Sequence, residues 1–341
     1  MPVTIWDIVE ATGLSQPAVS QILNGKGRFR PETRERVLAA AKKLGWRPNA
    51  SARAMAAGRF NAVALVLSDR PTTSLVPDGL VEGIDEVLVR QNNHLLIARL
   101  PDQRLTDAEQ APKLLSHLMA DGLLVNYNAD IPAGFRDIVE STGLPAVWIN
   151  SVQKAASVYP DDEAGAQEAT RRLLALGHRR IGFLDYNRGP EDKVFHHYSF
   201  PARRAGYRTA MREAGLPARV LGRQGGVPIG ERLAFTRAWL AAPDAPTAVV
   251  CYNDEWTGVL QLAATTLGRQ LPRDLSVVVF SPRAPVACDL RVDHVLIDAP
   301  AIGSAAVAML SGMMARRGTP PNRPIPMPYV AQGSTAAPPA G

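Results

Sequence analysis

Gln16, Ser20, Gln21 and Asn24 place three carboxamides and a hydroxyl within one short stretch. A carboxamide donates and accepts at once, as the N6 and N7 edge of adenine requires, so a helix carrying such groups on one arc can read bases in a DNA major groove. At about 100° per residue, Gln16, Pro17, Ser20, Gln21 and Asn24 fall on one arc and Ala18, Val19, Ile22 and Leu23 on the other. Enzymatic chemistry has no comparable concentration. Neither G-x-G-x-x-G nor G-x-x-x-x-G-K-[ST] nor H-E-x-x-H occurs. His196-His197 has no carboxylate or cysteine at helical spacing and reads as a pair of loop histidines, and the glycines from Gly222 to Gly230 read as a loop. No nucleophile, base and acid stand out as a set, so neither an enzyme nor a cofactor or metal is expected.

The elements that must position this arc are legible on both sides of it. Ser15 suits an N-cap, Pro17 a first turn and Gly25 a helix end. Before it, Thr4 to Ala11 reads as a helix with Thr4 as N-cap, Asp7 in capping-box position and Ile5, Ile8 and Val9 as its packing face. Thr12-Gly13-Leu14 is the tight turn that a helix-turn-helix needs. A third helix is predicted over Pro31 to Leu44, packed through Val37, Ala41 and Leu44 and stopped at Gly45.

Charge points the same way. The chain carries 38 Lys and Arg against 32 Asp and Glu, a net +6. Residues 1–61 hold ten basic and four acidic residues, which accounts for the whole excess and leaves the remainder neutral. A head that neutralises phosphates needs that asymmetry, and the body does not.

With 341 residues, 46% of them hydrophobic, the chain can build two or three domains. No apolar run approaches the ~18 residues of a membrane span, and the first residues lack the basic and apolar regions of a signal peptide, so a cytoplasmic protein is expected. Cys251 and Cys288 form neither a disulfide framework nor a metal-ligand spacing. From Ala62 onward, short apolar runs alternate with longer amphipathic ones, the pattern of parallel strands joined by crossover helices. Strands are predicted at 62–67, 95–98, 122–126, 146–150, 181–184, 248–251 and 276–280, and helices at 78–90, 107–120, 135–141, 163–176, 203–214, 230–241, 255–267 and 301–316. Two α/β lobes with a cleft at the carboxyl ends of their strands accommodate these elements. For that cleft, Arg203 and Asn253 are the leading candidates, because polar groups at strand ends and helix starts can fix hydroxyls or carboxylates. Asn126, Asn150 and Asp161 join them, and Trp148 and Trp256 could stack on a sugar face.

Thr4-Ile5-Trp6-Asp7-Ile8 through Asn24-Gly25, Pro31 to Val37 and Arg47-Pro48-Asn49 resemble the head of the LacI/GalR family of bacterial transcription regulators. The likeness continues through Glu163-Ala164-Gly165, Leu176 to Ile181, Arg203-Arg204-Ala205-Gly206-Tyr207, Tyr252-Asn253-Asp254 and Gly333-Ser334-Thr335-Ala336. It implies an α/β fold: an all-α helix-turn-helix head (1–46), a hinge helix and linker (47–61), and a two-lobed periplasmic-binding-protein-like body with parallel sheets (62–335). Residues 336–341 are expected to form a disordered tail. The resemblance places the family's effector-binding arginine at Arg203 and its asparagine at Asn253, and puts Met55 where the family's hinge leucine wedges between base pairs. The DNA-facing set is then Thr4, Ser15, Gln16, Pro17, Ser20, Gln21, Asn24, Arg30, Arg53 and Met55. Three departures stand out. Gln21 and Ala18 replace the family's usual arginine and threonine. Arg30 replaces the Ser/Thr cap before Pro31, which costs about 1 kcal/mol and offers a phosphate contact instead. Ser281-Pro282-Arg283 stands where an acidic pair is usual, which makes Ser281 a cleft candidate, removes a carboxylate from the effector site and brings an anionic ligand into consideration.

The expected function is a homodimeric, effector-controlled regulator, a repressor, on a pseudo-palindromic operator in double-stranded DNA, with a sugar-like effector and no membrane partner. The alternatives are a ligand-binding protein without a DNA role and a sugar-modifying enzyme fused to a DNA-binding head.

Overall fold

The structure is a computed structural model; it describes residues 3–46, 59–70, 73–102, 119–132, 134–187, 197–287, 289–316 and 318–339. The chain divides into two units, Met1–Phe60 and Asn61–Gly341.

In the first unit, helices Ile5–Thr12, Gln16–Leu23 and Pro31–Leu44 enclose a small core of Ile8, Val19, Ile22, Val37 and Ala41. Gly13 takes φ 63°, a left-handed conformation open to glycine at little cost, and its N–H bonds the Val9 carbonyl at 2.9 Å, which reverses the chain between the first two helices. The third helix departs from expectation at its end. Leu44 is 37% exposed, and Trp46 packs on the core instead. Left-handed Gly45 turns the chain back, so that the Trp46 N–H reaches the Ala41 carbonyl at 2.9 Å.

The second unit contains two six-stranded sheets. With strands numbered in chain order, the first holds β1 (Ala62–Ser68), β2 (His94–Leu100), β3 (Gly122–Val125), β4 (Ala146–Ile149), β5 (Ser157–Pro160) and β13 (Arg323–Ile325), in the order β13-β5-β4-β3-β1-β2. The second holds β6 (Ile181–Leu184), β7 (Arg219–Leu221), β8 (Ala248–Cys251), β9 (Ser276–Ser281), β12 (Asp293–Leu296) and β14 (Tyr329–Val330), in the order β14-β12-β9-β8-β6-β7. All pairings in the two sheets are parallel except β12 with β14. Every residue of β1 and of β9 is buried, as parallel strands covered on both faces must be. The chain passes between the lobes three times: after β5, after β12 and after β13. Helix Ala299–Arg316 thereby returns to pack on the first sheet.

The predicted helix at 107–120 falls almost wholly outside the described residues, as do Arg53, Met55 and nearly all of the 47–61 hinge. Strands β5, β7, β12, β13 and β14, together with the short β10–β11 hairpin, were not expected. The disordered tail is a correction. The Ala336 N–H donates to Ser276 Oγ at 3.0 Å, and its carbonyl lies 2.9 Å from Nε2 of buried His178. No helix among the described residues is long and apolar enough to cross a membrane.

Candidate functional site

In the head, the polar arc is open. Pro17, Gln21 and Asn24 are exposed, and Gln16 and Ser20 are half-buried. Asn24 folds back along its helix, its amide donating to the Ser20 carbonyl at 2.9 Å. Ser15 has N-cap backbone angles but its side chain makes no cap bond, and Arg30 likewise precedes its helix uncapped. At Thr4, the Asp7 carboxylate accepts the N–H at 2.6 Å and the hydroxyl at 2.8 Å, bonds that hold the Asp7 carboxyl below its ordinary range.

Between the two lobes of the second unit lies a cavity of about 320 Å³. Its first-lobe wall is Leu75, Val76, Pro77 and Asp78 after β1, with Asn150 and Pro160. Its second-lobe wall includes His197, Ser199, Arg203, Tyr252, Asn253, Asp254, Glu255, Phe280 and Arg283. Asn150 ends β4 at φ 53°, a conformation that asparagine tolerates better than most residues.

Arg203 is the centre of this wall. Helix Ser199–Glu213 packs on helix Asp162–Ala175 so closely that a Cβ on Gly206 would lie 2.1 Å from the Glu163 carbonyl oxygen. That approach sets Arg203 on Asp162, Nε to Oδ1 at 2.6 Å, with both side chains buried. Nη1 donates to the Tyr252 carbonyl at 2.5 Å, and the guanidinium lies over the Phe280 and Tyr252 rings at 4.2 and 4.6 Å. Tyr252 stacks in turn on Phe200 at 4.0 Å. Burial alone would lower the Arg203 pKa, but the Asp162 charge outweighs it and raises the value. Nη2 makes no hydrogen bond to the described residues, so it remains for a ligand. At the cleft's edge, Arg283 of the second lobe pairs with Asp78 of the first. Burial pushes His197 down to about 4, with Arg203 adding to the effect and Asp162 and the Asn150 carbonyl opposing it. Burial also raises Tyr252 to about 12.

Of the residues singled out from the sequence, Arg203, Asn253 and Asn150 line the cavity. The other five do not. Asn126 is fully buried and donates to the Leu75 carbonyl at 3.1 Å, which secures the rim loop from behind. Asp161 caps its helix by accepting from the Ala164 N–H at 3.2 Å. Trp148 belongs to the first-lobe core, edge-on to Phe135 at 6.0 Å, and Trp256 lies buried beside Tyr186 and Tyr252. Ser281 is buried too, its hydroxyl donating to Asp254 Oδ2 at 2.8 Å. Sequence reasoning missed Asp162, His197, Tyr252, Phe280 and Asp78 as wall residues. Only the Tyr252-Asn253-Asp254 motif pointed near one of them.

Residues 4–49 match Bacterial regulatory proteins, lacI family, and residues 170–335 match the Periplasmic binding protein-like domain. The chain belongs to the LacI family. Catabolite control protein A of Priestia megaterium is 25% identical over 92% of this chain and 93% of its own length. The HTH-type transcriptional regulator MalR of Streptomyces coelicolor is 29% identical over 99% and 98%. Among solved structures, the lac repressor dimer bound to operator and the anti-inducer ONPF superposes with a TM-score of 0.81 at 22% identity, covering 99% of this chain and 100% of that one. The transcriptional regulator CelR–cellobiose complex gives 0.64 at 23% identity over 97% and 99%. The LacI-family assignment makes the chain a DNA-binding transcription regulator with a mixed α/β body.

Proposed function

We propose that this LacI-family chain is a cytoplasmic, homodimeric repressor whose affinity for a pseudo-palindromic operator is set by a small sugar-like effector bound between the two lobes of its body. The observation that carries the reading is the cleft itself. A cavity of about 320 Å³ presents Arg203, fixed by Asp162 and two aromatic rings, alongside Asn253, Asn150 and Asp78, in a chain whose other unit displays an open polar helix. A pre-ordered guanidinium with one nitrogen unspent suits recognition of hydroxyl or ether oxygens. A relative crystallised with cellobiose supports a ligand of that class.

In the head, Gln16, Ser20, Gln21 and Asn24 would meet base edges, while Thr4, Ser15, Pro17 and Arg30 would meet the backbone. One head covers half a site, so two-fold DNA calls for a dimer. Arg53 and Met55, in the segment that joins the two units, would enter the minor groove and make operator binding responsive to the body. No catalytic role is assigned, and the matched relatives named above are regulators.

A gel shift on upstream DNA at two salt concentrations, with and without a sugar panel, tests the proposal. Affinity should fall steeply with salt, with a log–log slope of about −0.9 per phosphate contact, and one sugar should change it. Salt-independent binding, or turnover of a sugar, would overturn it.

A further inference from the structure

His197 is 8% exposed and lines the cleft. Its Nδ1 is committed within the protein: it accepts the Ser199 N–H at 3.3 Å and lies 2.6 Å from Ser199 Oγ. Ser199 Oγ is itself 2.7 Å from Tyr252 Oη, which anchors the ring to the wall of Arg203. A ring nitrogen that accepts from a backbone N–H carries no proton, so in the neutral imidazole the proton sits on Nε2. That Nε2 is buried without a hydrogen-bond partner among the described residues. Asn253 Oδ1, on the same cavity, is the complementary case, a buried acceptor without a donor. Buried polar groups are satisfied in nearly all native proteins, and a pair of this kind facing one cavity calls for a ligand that brings an acceptor to the first and a donor to the second.

The charges of the cleft are already spent on one another. Arg203 pairs with Asp162 and Arg283 with Asp78, Asp254 takes the Ser281 hydroxyl, and Glu255 Oε2 lies 3.5 Å from the Asn253 amide. The groups facing His197 are Asp162, Arg203, the Asn150 carbonyl and the Tyr198 ring at 4.8 Å, and their sum with burial keeps the imidazole uncharged at neutral pH. We infer that His197 is a ligand-contacting, specificity-determining residue whose Nε2–H donates to an uncharged ether or hydroxyl oxygen of a polyhydroxylated ligand. The inference rests on the reading of the cleft as the effector site and adds to it a contact that the sequence does not mark. It also sets aside an anionic effector, because the wall offers no unpaired cation to receive one.

The test uses the full chain and isothermal titration calorimetry at pH 7 with D-glucose, D-galactose and cellobiose as uncharged probes, against D-glucuronate and glucose 6-phosphate. Glutamine can place an amide N–H where Nε2 stands, whereas asparagine reaches only the Nδ1 position. The wild type should bind an uncharged probe more tightly than either anion. His197→Gln should stay within about threefold of wild type, and His197→Asn should weaken Kd about tenfold or more, the scale of one lost hydrogen bond. Tighter binding of an anion, or equal binding by His197→Asn and wild type, overturns the inference. If that equality holds while Arg203→Met abolishes binding, the effector reading survives and only His197 is excluded. If no probe binds the wild type, both readings fall. Long-range ¹⁵N correlation of the wild-type imidazoles covers the case in which the asparagine variant does not fold. An Nε2–H tautomer for His197 from pH 5 to 8 is expected, and an Nδ1–H tautomer refutes the arrangement.

Discussion

Arg203→Met separates what the guanidinium does for the fold from what it does for a ligand. Methionine keeps much of the side-chain volume over Phe280 and Tyr252 but leaves Asp162 in place, and that carboxylate is fully buried in its side chain. Breaking a buried pair by removing one partner typically costs about 3–5 kcal/mol, because the remaining charge is left uncompensated. For a unit the size of Asn61–Gly341, each kcal/mol moves Tm by about 2 °C, so a fall of roughly 6–10 °C is expected. Differential scanning calorimetry of the wild type, Arg203→Met, Asp162→Leu and the double variant measures it. The double variant should recover most of the loss, since it leaves no unpaired charge. At a temperature where every variant is folded, operator binding should persist while any effector response is lost. A double variant no more stable than Arg203→Met alone would refute the electrostatic account and make the aromatic packing responsible.

Three further outcomes are expected. Gly206→Ala should lower stability by about 1–3 kcal/mol, since its Cβ would fall 2.1 Å from the Glu163 carbonyl oxygen, and should weaken ligand binding by moving Arg203 off Asp162; denaturation midpoints and calorimetry check both. Asp293 is buried, which alone would raise its pKa, but bonds from Tyr329, Thr335 and the N–H groups of Gln332 and Ser334 hold it below the ordinary carboxylate value. Its contribution is therefore present above the unfolded value near 3.9 and lost as pH falls through the lower folded value. Asp293→Asn should lower stability at pH 7 and flatten the acid limb of urea midpoints measured from pH 6 to 2; an unchanged limb would exclude Asp293 as its source. Gln21→Arg should shift the preferred base from adenine toward guanine at one position of each half-site, read by selection from a randomised operator library; an unchanged preference would confine Gln21 to backbone contact.

The parts of this protein that follow from its sequence are those governed by neighbours in the chain. The three head helices are set by periodic apolar residues and by Gly13 and Gly45, and β1, β6 and β8 by unbroken apolar runs with defined ends. The concentration of positive charge before Asn61 needs no folding to be seen. Burial and partnership needed the tertiary structure. Trp148 and Trp256, at or near strand ends, offered the same promise as Asn150 and Asn253, yet the sheets turn the tryptophans into the cores and the asparagines onto the cleft. The unexpected β5, β12 and β13 are short, and each carries polar residues or proline, so only pairing within the sheets identifies them. Asp293 sits in β12 because Gln332, Gly333 and Ser334 bring their N–H groups to it from a distant part of the chain. Asp162 and Arg203 are 41 residues apart, and nothing local to either marks the other as its partner. Helix periodicity and turn preference act through a few bonds, whereas an ion pair or a cleft wall depends on which helices the sheet order brings together and how closely a glycine lets them approach.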